Sequence, residues 1–273
     1  MRMRRLGQGL EVSAIGLGCM GMSHAYGGQE EEKSIATLHR AIEIGVTFLD
    51  TAEVYGPFTN EILLGKALVG RRDRVTIATK FGFEIAPEAG DGVDRMIGLD
   101  GRPENAKRVA EASLKRLRTE VIDLFYLHRV DPDVPVEESV GAIGDLVREG
   151  KVRFVGLSEV DAGTLERAHR EHPIAALQSE YSLWTRGVEA EILSTARRLG
   201  VGFVPFSPLG RGFLAGSVTA TADLAADDFR RKLPRFQDDA MAANARFVAI
   251  LDEIARAHGV TKAQLALAWV LAK

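Results

Sequence analysis

The sequence predicts a parallel α/β architecture, and of its two common forms it favours a closed barrel over an open doubly wound sheet. Short apolar, β-branched runs alternate with longer helical patterns along the whole chain. The runs are continuously apolar rather than alternating, as strands covered on both faces must be. Seven such units follow one another at regular spacing, with no break in composition and no reversal at a midpoint.

The opening, Arg4-Arg5-Leu6 and Leu10-Glu11-Val12 about Gly7-Gln8-Gly9, reads as a hairpin. Ser13-Ala14-Ile15-Gly16-Leu17-Gly18 is the first core strand, and Ile35, Leu38 and Ile42 mark one face of the helix after it. Thr47-Phe48-Leu49 leads to a helix over residues 61–68, and Val75-Thr76-Ile77-Ala78 leads, past a long Gly-rich loop, to a helix with Ala106, Val109, Ala110, Leu114 and Leu117 on one side. Residues 122–127 precede a helix carrying Val140, Ile143 and Val147, and residues 152–157 precede one from Asp161. Residues 174–177 precede a helix over 188–199, and Gly202-Phe203-Val204-Pro205 is the seventh strand. A loop-like stretch over 214–238 follows, then two helices, 240–258 and 261–272, separated at Gly259.

Composition narrows the class. The 273 residues are 46% hydrophobic and 27% charged, which is ordinary globular usage, and single α/β barrels run to about 250 residues. A net charge of −3 offers no footing for nucleic acid or a membrane surface. The one cysteine, Cys19, excludes an intrachain disulfide; with no secretory signal and no spanning run, the expectation is a cytoplasmic protein.

Barrel chemistry sits at the carboxyl ends of strands, so the residues just past each strand carry information. Strand two ends in Asp50, with Tyr55 in the turn after it; strand three ends in Lys80 and strand four in His128. Strands five and six end in Ser158 and Gln178, and strand seven runs into Phe206-Ser207. Each residue alone has an ordinary explanation, as a turn former, a packed ring or a solvated cation. Asp, Tyr, Lys and His from three consecutive strands on one rim suit carbonyl reduction. Hydride addition builds negative charge on oxygen and calls for a proton donor and pre-aimed hydrogen bonds. A phenol is a weak acid, with an unperturbed pKa of about 10. An adjacent Lys80 ammonium, held by Asp50, is expected to lower it, while His128 orients the carbonyl oxygen.

These residues resemble the aldo-keto reductase superfamily, in its NADPH-dependent plant and bacterial branch. The resemblance runs through Gly45-Val46-Thr47-Phe48-Leu49-Asp50-Thr51-Ala52-Glu53-Val54-Tyr55-Gly56, Ile77-Ala78-Thr79-Lys80, Leu124-Phe125-Tyr126-Leu127-His128 and Val155-Gly156-Leu157-Ser158. It continues through Gln178-Ser179-Glu180-Tyr181-Ser182-Leu183, Phe206-Ser207-Pro208-Leu209-Gly210-Arg211-Gly212 and Ala263-Gln264-Leu265-Ala266-Leu267-Ala268-Trp269. It implies a (β/α)8 TIM barrel with an N-terminal β-hairpin, residues 1–273 forming a single domain. Asp50, Tyr55, Lys80 and His128 become the catalytic tetrad, with no metal. Ser158 and Gln178 hold the nicotinamide carboxamide, and Phe206 stacks on the ring. Ser207, Leu209, Gly210 and Arg211 contact the pyrophosphate, while Gly18, Cys19 and Met20 lie near the nicotinamide ribose beside Asp50. The implied partner is a small carbonyl substrate, and the implied state a monomer or small homo-oligomer.

Three positions depart from the pattern. Glu159 stands where Asn is common, and Phe206 keeps the ring of the usual Tyr without its hydroxyl. The chain ends before the expected eighth strand and the segment that grips the adenosine 2′-phosphate, so the domain reads as C-terminally incomplete, a truncated piece of a longer chain, with NADH not excluded beside NADPH.

Other signals are weaker. Gly16-Leu17-Gly18-Cys19-Met20-Gly21 matches the G-x-G-x-x-G string, but Gly27-Gly28 intervenes before any helix opens. His169 and His172 share a helix face with no third ligand; Trp184 and Trp269 read as core or pocket-wall aromatics. The alternative function is a non-catalytic, cofactor-sensing regulatory subunit of the same fold.

Overall fold

The computed structural model describes residues 1–23, 26, 30–86 and 95–273. These fall into two compact units, the first within 1–24, 28–178 and 191–204, the second within 25–27, 179–190 and 205–273.

The first unit opens with the expected hairpin, β1 (Met3–Arg5) antiparallel to β2 (Glu11–Ser13). The core strands are β3 (Gly16–Gly18), β4 (Phe48–Asp50), β5 (Thr76–Phe81), β8 (Ile122–Leu127), β9 (Val152–Ser158), β10 (Ile174–Glu180) and β11 (Gly202–Phe206). They form one nearly closed parallel barrel in the order β11-β10-β9-β8-β5-β4-β3. Among the described residues there are eight helices: α1 (Glu31–Glu43), α2 (Thr59–Ala67), α3 (Pro103–Leu117), α4 (Val136–Arg148), α5 (Ala162–Glu171), α6 (Ile192–Leu199), α7 (Asp238–Ala257) and α8 (Lys262–Leu271).

The helices form where caps and periodicity agree. α3 starts on Pro103, whose missing N–H costs nothing in a first turn, and ends on left-handed Arg118. Asp161 caps α5 by accepting from the Thr164 amide, and Thr261 with Gln264 closes a capping box on α8. The predicted core face of α3 is buried throughout; its Ala106, Val109, Ala110 and Leu114 share one cluster with Val140 and Ile143 of α4 and with residues of β8 and β9.

Strand periodicity then sets the barrel interior. Side chains two apart share a face, so one inner layer holds Phe48, Ala78, Leu124 and Ala176, sealed from below by Leu10 and Val12 of the hairpin. The next layer upward must contain Asp50, Lys80, Tyr126 and Gln178. An apolar floor thus carries a polar layer directly above it.

Within the long loop predicted after β5, β6 (Phe83–Ile85) instead pairs antiparallel with β7 (Met96–Leu99); residues 87–94 lie outside the described residues, as do Gly27 and Gly28. Gly82 permits the departure from β5, with φ +121° and a Cβ position only 3.2 Å from the Arg129 carbonyl.

The second unit packs α7, α8 and short 3-10 turns around Phe213, Leu214, Val218, Leu224, Phe236, Met241, Leu251 and Ala266. The stretch 214–238, expected as loop, is held this way. Trp184 belongs to that core, stacked 4.3 Å from Phe213.

Candidate active site

The tetrad residues meet at the upper end of the first unit's barrel. Lys80 is fully buried on β5, and its Nζ donates to Asp50 Oδ1 at 2.5 Å, to the Thr51 carbonyl at 2.8 Å and to Tyr55 Oη at 3.4 Å. The Tyr55 and His128 rings lie edge to face, centroids 6.0 Å apart, and the Phe83 and His128 rings do likewise at 5.0 Å. β5 extends to Phe81, so Lys80 sits inside the strand rather than at its end. That places it in the polar layer beside Asp50.

Two neighbours hold this layer in shape. Gln178 donates to Asp50 Oδ2 at 2.8 Å, reaching from β10 to β4 across the interior. Tyr126, paired with Lys80 on one side and Gly156 on the other, lies flat in the space a side chain at 156 would take; a Cβ there would stand 2.4 Å from the Tyr126 ring.

The electrostatics follow from burial. Desolvation pushes the Tyr55 phenol above its ordinary value; Lys80 pulls it back without reversing the sign. Lys80 acts in the expected direction, but the net shift is upward: the site is drier than a sequence can show, and desolvation outweighs the cation. Burial works against the Lys80 ammonium, yet Asp50 and Tyr55 together raise it above its usual range. Burial, then Lys80 and Arg129, hold His128 well below 6.5, so its ring is neutral near pH 7.

The turn carrying Tyr55 is braced from behind by residues the sequence reading passed over. Asn60 accepts from Thr51 Oγ1 at 2.6 Å and donates to the Cys19 carbonyl at 2.8 Å, tying the β4 turn to the β3 turn. Glu61, fully buried, accepts from Thr79 and Arg116. Glu53 is buried with one oxygen unpartnered, and desolvation followed by Glu61 raises its carboxyl to about 8. The sequence signal was two acids flanking Tyr55, eight residues apart.

The candidate cofactor residues divide between the units. In the first, Gly18 pairs with Asp50 in the sheet, with open space at its Cβ position. Cys19 faces the core with its thiol pushed up to about 12 by burial, and its amide donates to the Asp50 carbonyl. Met20 begins the 3-10 turn after it. Ser158 and Gln178 end β9 and approach the end of β10, side by side in register. A hydroxyl and an amide so placed suit the carboxamide of a nicotinamide. In the second unit, Phe206 ends β11 and Ser207, Leu209, Gly210 and Arg211 form tight turns, with Ser207 at φ +50° and Arg211 at φ +55°. Non-glycine residues in that region mark a backbone held for a purpose. Arg211 is set by Glu180 at 3.5 Å, and Arg230 donates to its carbonyl. A cation and successive amides in such turns suit a phosphate.

Among the described residues no group of three metal-binding side chains occurs, and no helix is long and apolar enough to cross a membrane. His169 instead accepts from the Ile174 amide.

Comparisons with known proteins agree with this geometry. The aldo/keto reductase family model matches residues 14–273. A glycerol dehydrogenase from Gluconobacter oxydans superposes with TM-score 0.88 at 28% identity, covering 98% of this chain and 82% of that one. An aldo-keto reductase from Bacillus halodurans, in its holo form, is 32% identical with TM-score 0.71, covering 79% and 69%. An aldo/keto reductase from Klebsiella pneumoniae, solved with NADP and acetate, is 29% identical with TM-score 0.72, covering 98% and 81%.

Proposed function

We propose that this chain, which belongs to the aldo/keto reductase family and is an NAD(P)H-dependent oxidoreductase, uses NADPH to reduce the carbonyl of an aldehyde or ketone, with Tyr55 as proton donor. The observation that carries the reading is the Lys80 ammonium, buried between Asp50 and the Tyr55 hydroxyl. A bound nicotinamide cofactor supplies the hydride.

The chain's own groups do the rest. Burial keeps the Tyr55 phenol protonated, so a proton is available to give. Once given, the phenolate stands beside a cation whose charge Asp50 secures, and in a dry site that attraction is large. Neutral His128 offers a ring N–H to the carbonyl oxygen without competing as an acid. Ser158 and Gln178 hold the carboxamide, and Gly18, Cys19 and Met20 lie near the ribose. Phe206 covers the nicotinamide face, and Ser207, Leu209, Gly210 and Arg211 take the pyrophosphate. The NADP in the Klebsiella neighbour supports NADPH over NADH, and the glycerol dehydrogenase supports small carbonyls or the matching alcohols as substrates.

The test is cofactor oxidation over a panel of aldehydes, ketones, dicarbonyls and sugars with NADPH and NADH. Turnover with NADPH is expected for part of the panel. No oxidation of either cofactor with any carbonyl would overturn the reading.

A further inference from the structure

Arg129 follows His128 directly and is absorbed by none of the roles above. Its Nη1 donates to the His128 carbonyl at 2.5 Å and to Ser158 Oγ at 3.1 Å, both neutral acceptors. Nε and Nη2 make no hydrogen bond, and the guanidinium no ion pair, with any described residue. The acid it feels, Glu159 at the end of the next strand, acts only through space and is exposed.

The guanidinium is partly buried, and burial is what most disfavours its charge. It is also close enough to the reacting groups to lower both the Tyr55 phenol and the His128 ring. A partly buried cation with three N–H groups that no described residue accepts from is an incomplete site, and the planar fork fits a carboxylate in two parallel hydrogen bonds. The Phe83 ring packs perpendicular to the His128 ring, and Gly82 just before it lets the chain pass close over the Arg129 backbone. The neutral imidazole thus has the Tyr55 ring and the apolar Phe83 ring against it and, one residue on, a guanidinium with no ion pair to any described residue.

We infer that Arg129 forms a substrate subsite for a carboxylate, so that the preferred carbonyl compounds carry an anionic end group on an apolar body. This deepens the reductase reading and rests on it. The positive charge aims the substrate with its carbonyl toward Tyr55 and His128. By donating to Ser158 Oγ, the same side chain also leaves the Ser158 proton free to point elsewhere.

The experiment compares 4-carboxybenzaldehyde with 4-methylbenzaldehyde, close in size and different in charge, as a ratio of kcat/KM within each variant. The ratio cancels changes to machinery that both substrates share. Wild type is expected to favour the carboxylate at least tenfold, Arg129→Met to lose that preference, and Arg129→Lys to keep part of it. A second arm measures binding of benzoate against benzamide by calorimetry, with and without NADPH, and needs no turnover. Benzoate is expected to bind more tightly, and Arg129→Met to abolish the difference. Turnover of 4-methylbenzaldehyde without carboxylate preference would overturn the subsite and leave the reductase reading standing. If neither aldehyde reacts, the reductase reading is what fails, and equal binding of benzoate and benzamide overturns the subsite separately.

Discussion

Gln178 on β10 donates to Asp50 on β4 at 2.8 Å, although three strands separate them in the sheet order. The bond crosses the barrel interior. It gives the second Asp50 oxygen a partner while Lys80 takes the first, and so fixes the carboxylate that fixes the lysine.

Asp50→Asn keeps the shape of that group and removes its charge, leaving a fully buried ammonium uncompensated. Such a loss costs about 3–5 kcal/mol, and a drop of this size in urea-denaturation stability is expected. The Lys80 pKa should fall with it, so activity should decline at a lower pH on the alkaline side than in wild type. Unchanged stability would mean that solvent replaces Asp50.

Glu53 makes a pH prediction. Its folded-state pKa, about 8, is raised above the unfolded value by burial and by Glu61. The folded protein therefore holds this proton more tightly, and the associated stability is full below pH ~4.5 and is lost as pH rises toward 8. Glu53→Gln should remove that decline, gaining on the order of a few kcal/mol at pH 8 relative to wild type, and nothing at pH 4.5. Parallel stability curves for the two proteins from pH 5 to 9 would refute the assignment.

Gly156→Ala places a methyl group where the Tyr126 ring lies. Overpacking of this kind costs about 1–3 kcal/mol. The displaced ring moves toward Lys80, so turnover should fall as well. Shortening the ring in the same chain, with Tyr126→Leu, should restore stability; thermal melts of the single and double variants check both.

Asp123, at the opposite end of β8, accepts from Arg72, Arg153 and the Ile77 amide. It serves the barrel and not the chemistry. Asp123→Ala should cost about 3 kcal/mol in chemical denaturation while kcat, measured well below the melting temperature, stays within about twofold.

Much of this was legible because two periodicities write themselves into residue order. The apolar runs announce the strands, and residues two apart share a face, so Asp50, Lys80 and Gln178 could be placed on one rim. Composition inside a strand is local information. The depth at which Lys80 and Tyr55 sit is not, since it depends on how the barrel closes. The pull of Lys80 on the Tyr55 phenol was therefore legible, and the larger, opposite effect of burial was not. The β6–β7 pairing was hidden for another reason: Phe83-Glu84-Ile85 is too short to outweigh the Gly-rich segment after it. Nothing in residue order marks Glu53 as buried or Arg129 as lacking an ion pair to any described residue; both follow from the fold.

Tyr55→Phe tests the proton donor most directly, with NADPH affinity followed by tryptophan fluorescence and reduction by NADPH absorbance in the same preparation. Removing one hydroxyl should leave cofactor binding within about threefold while cutting kcat by a factor of at least about 10³, since only the proton donor is gone. A variant that binds cofactor and turns over near the wild-type rate would show that the proton comes from elsewhere.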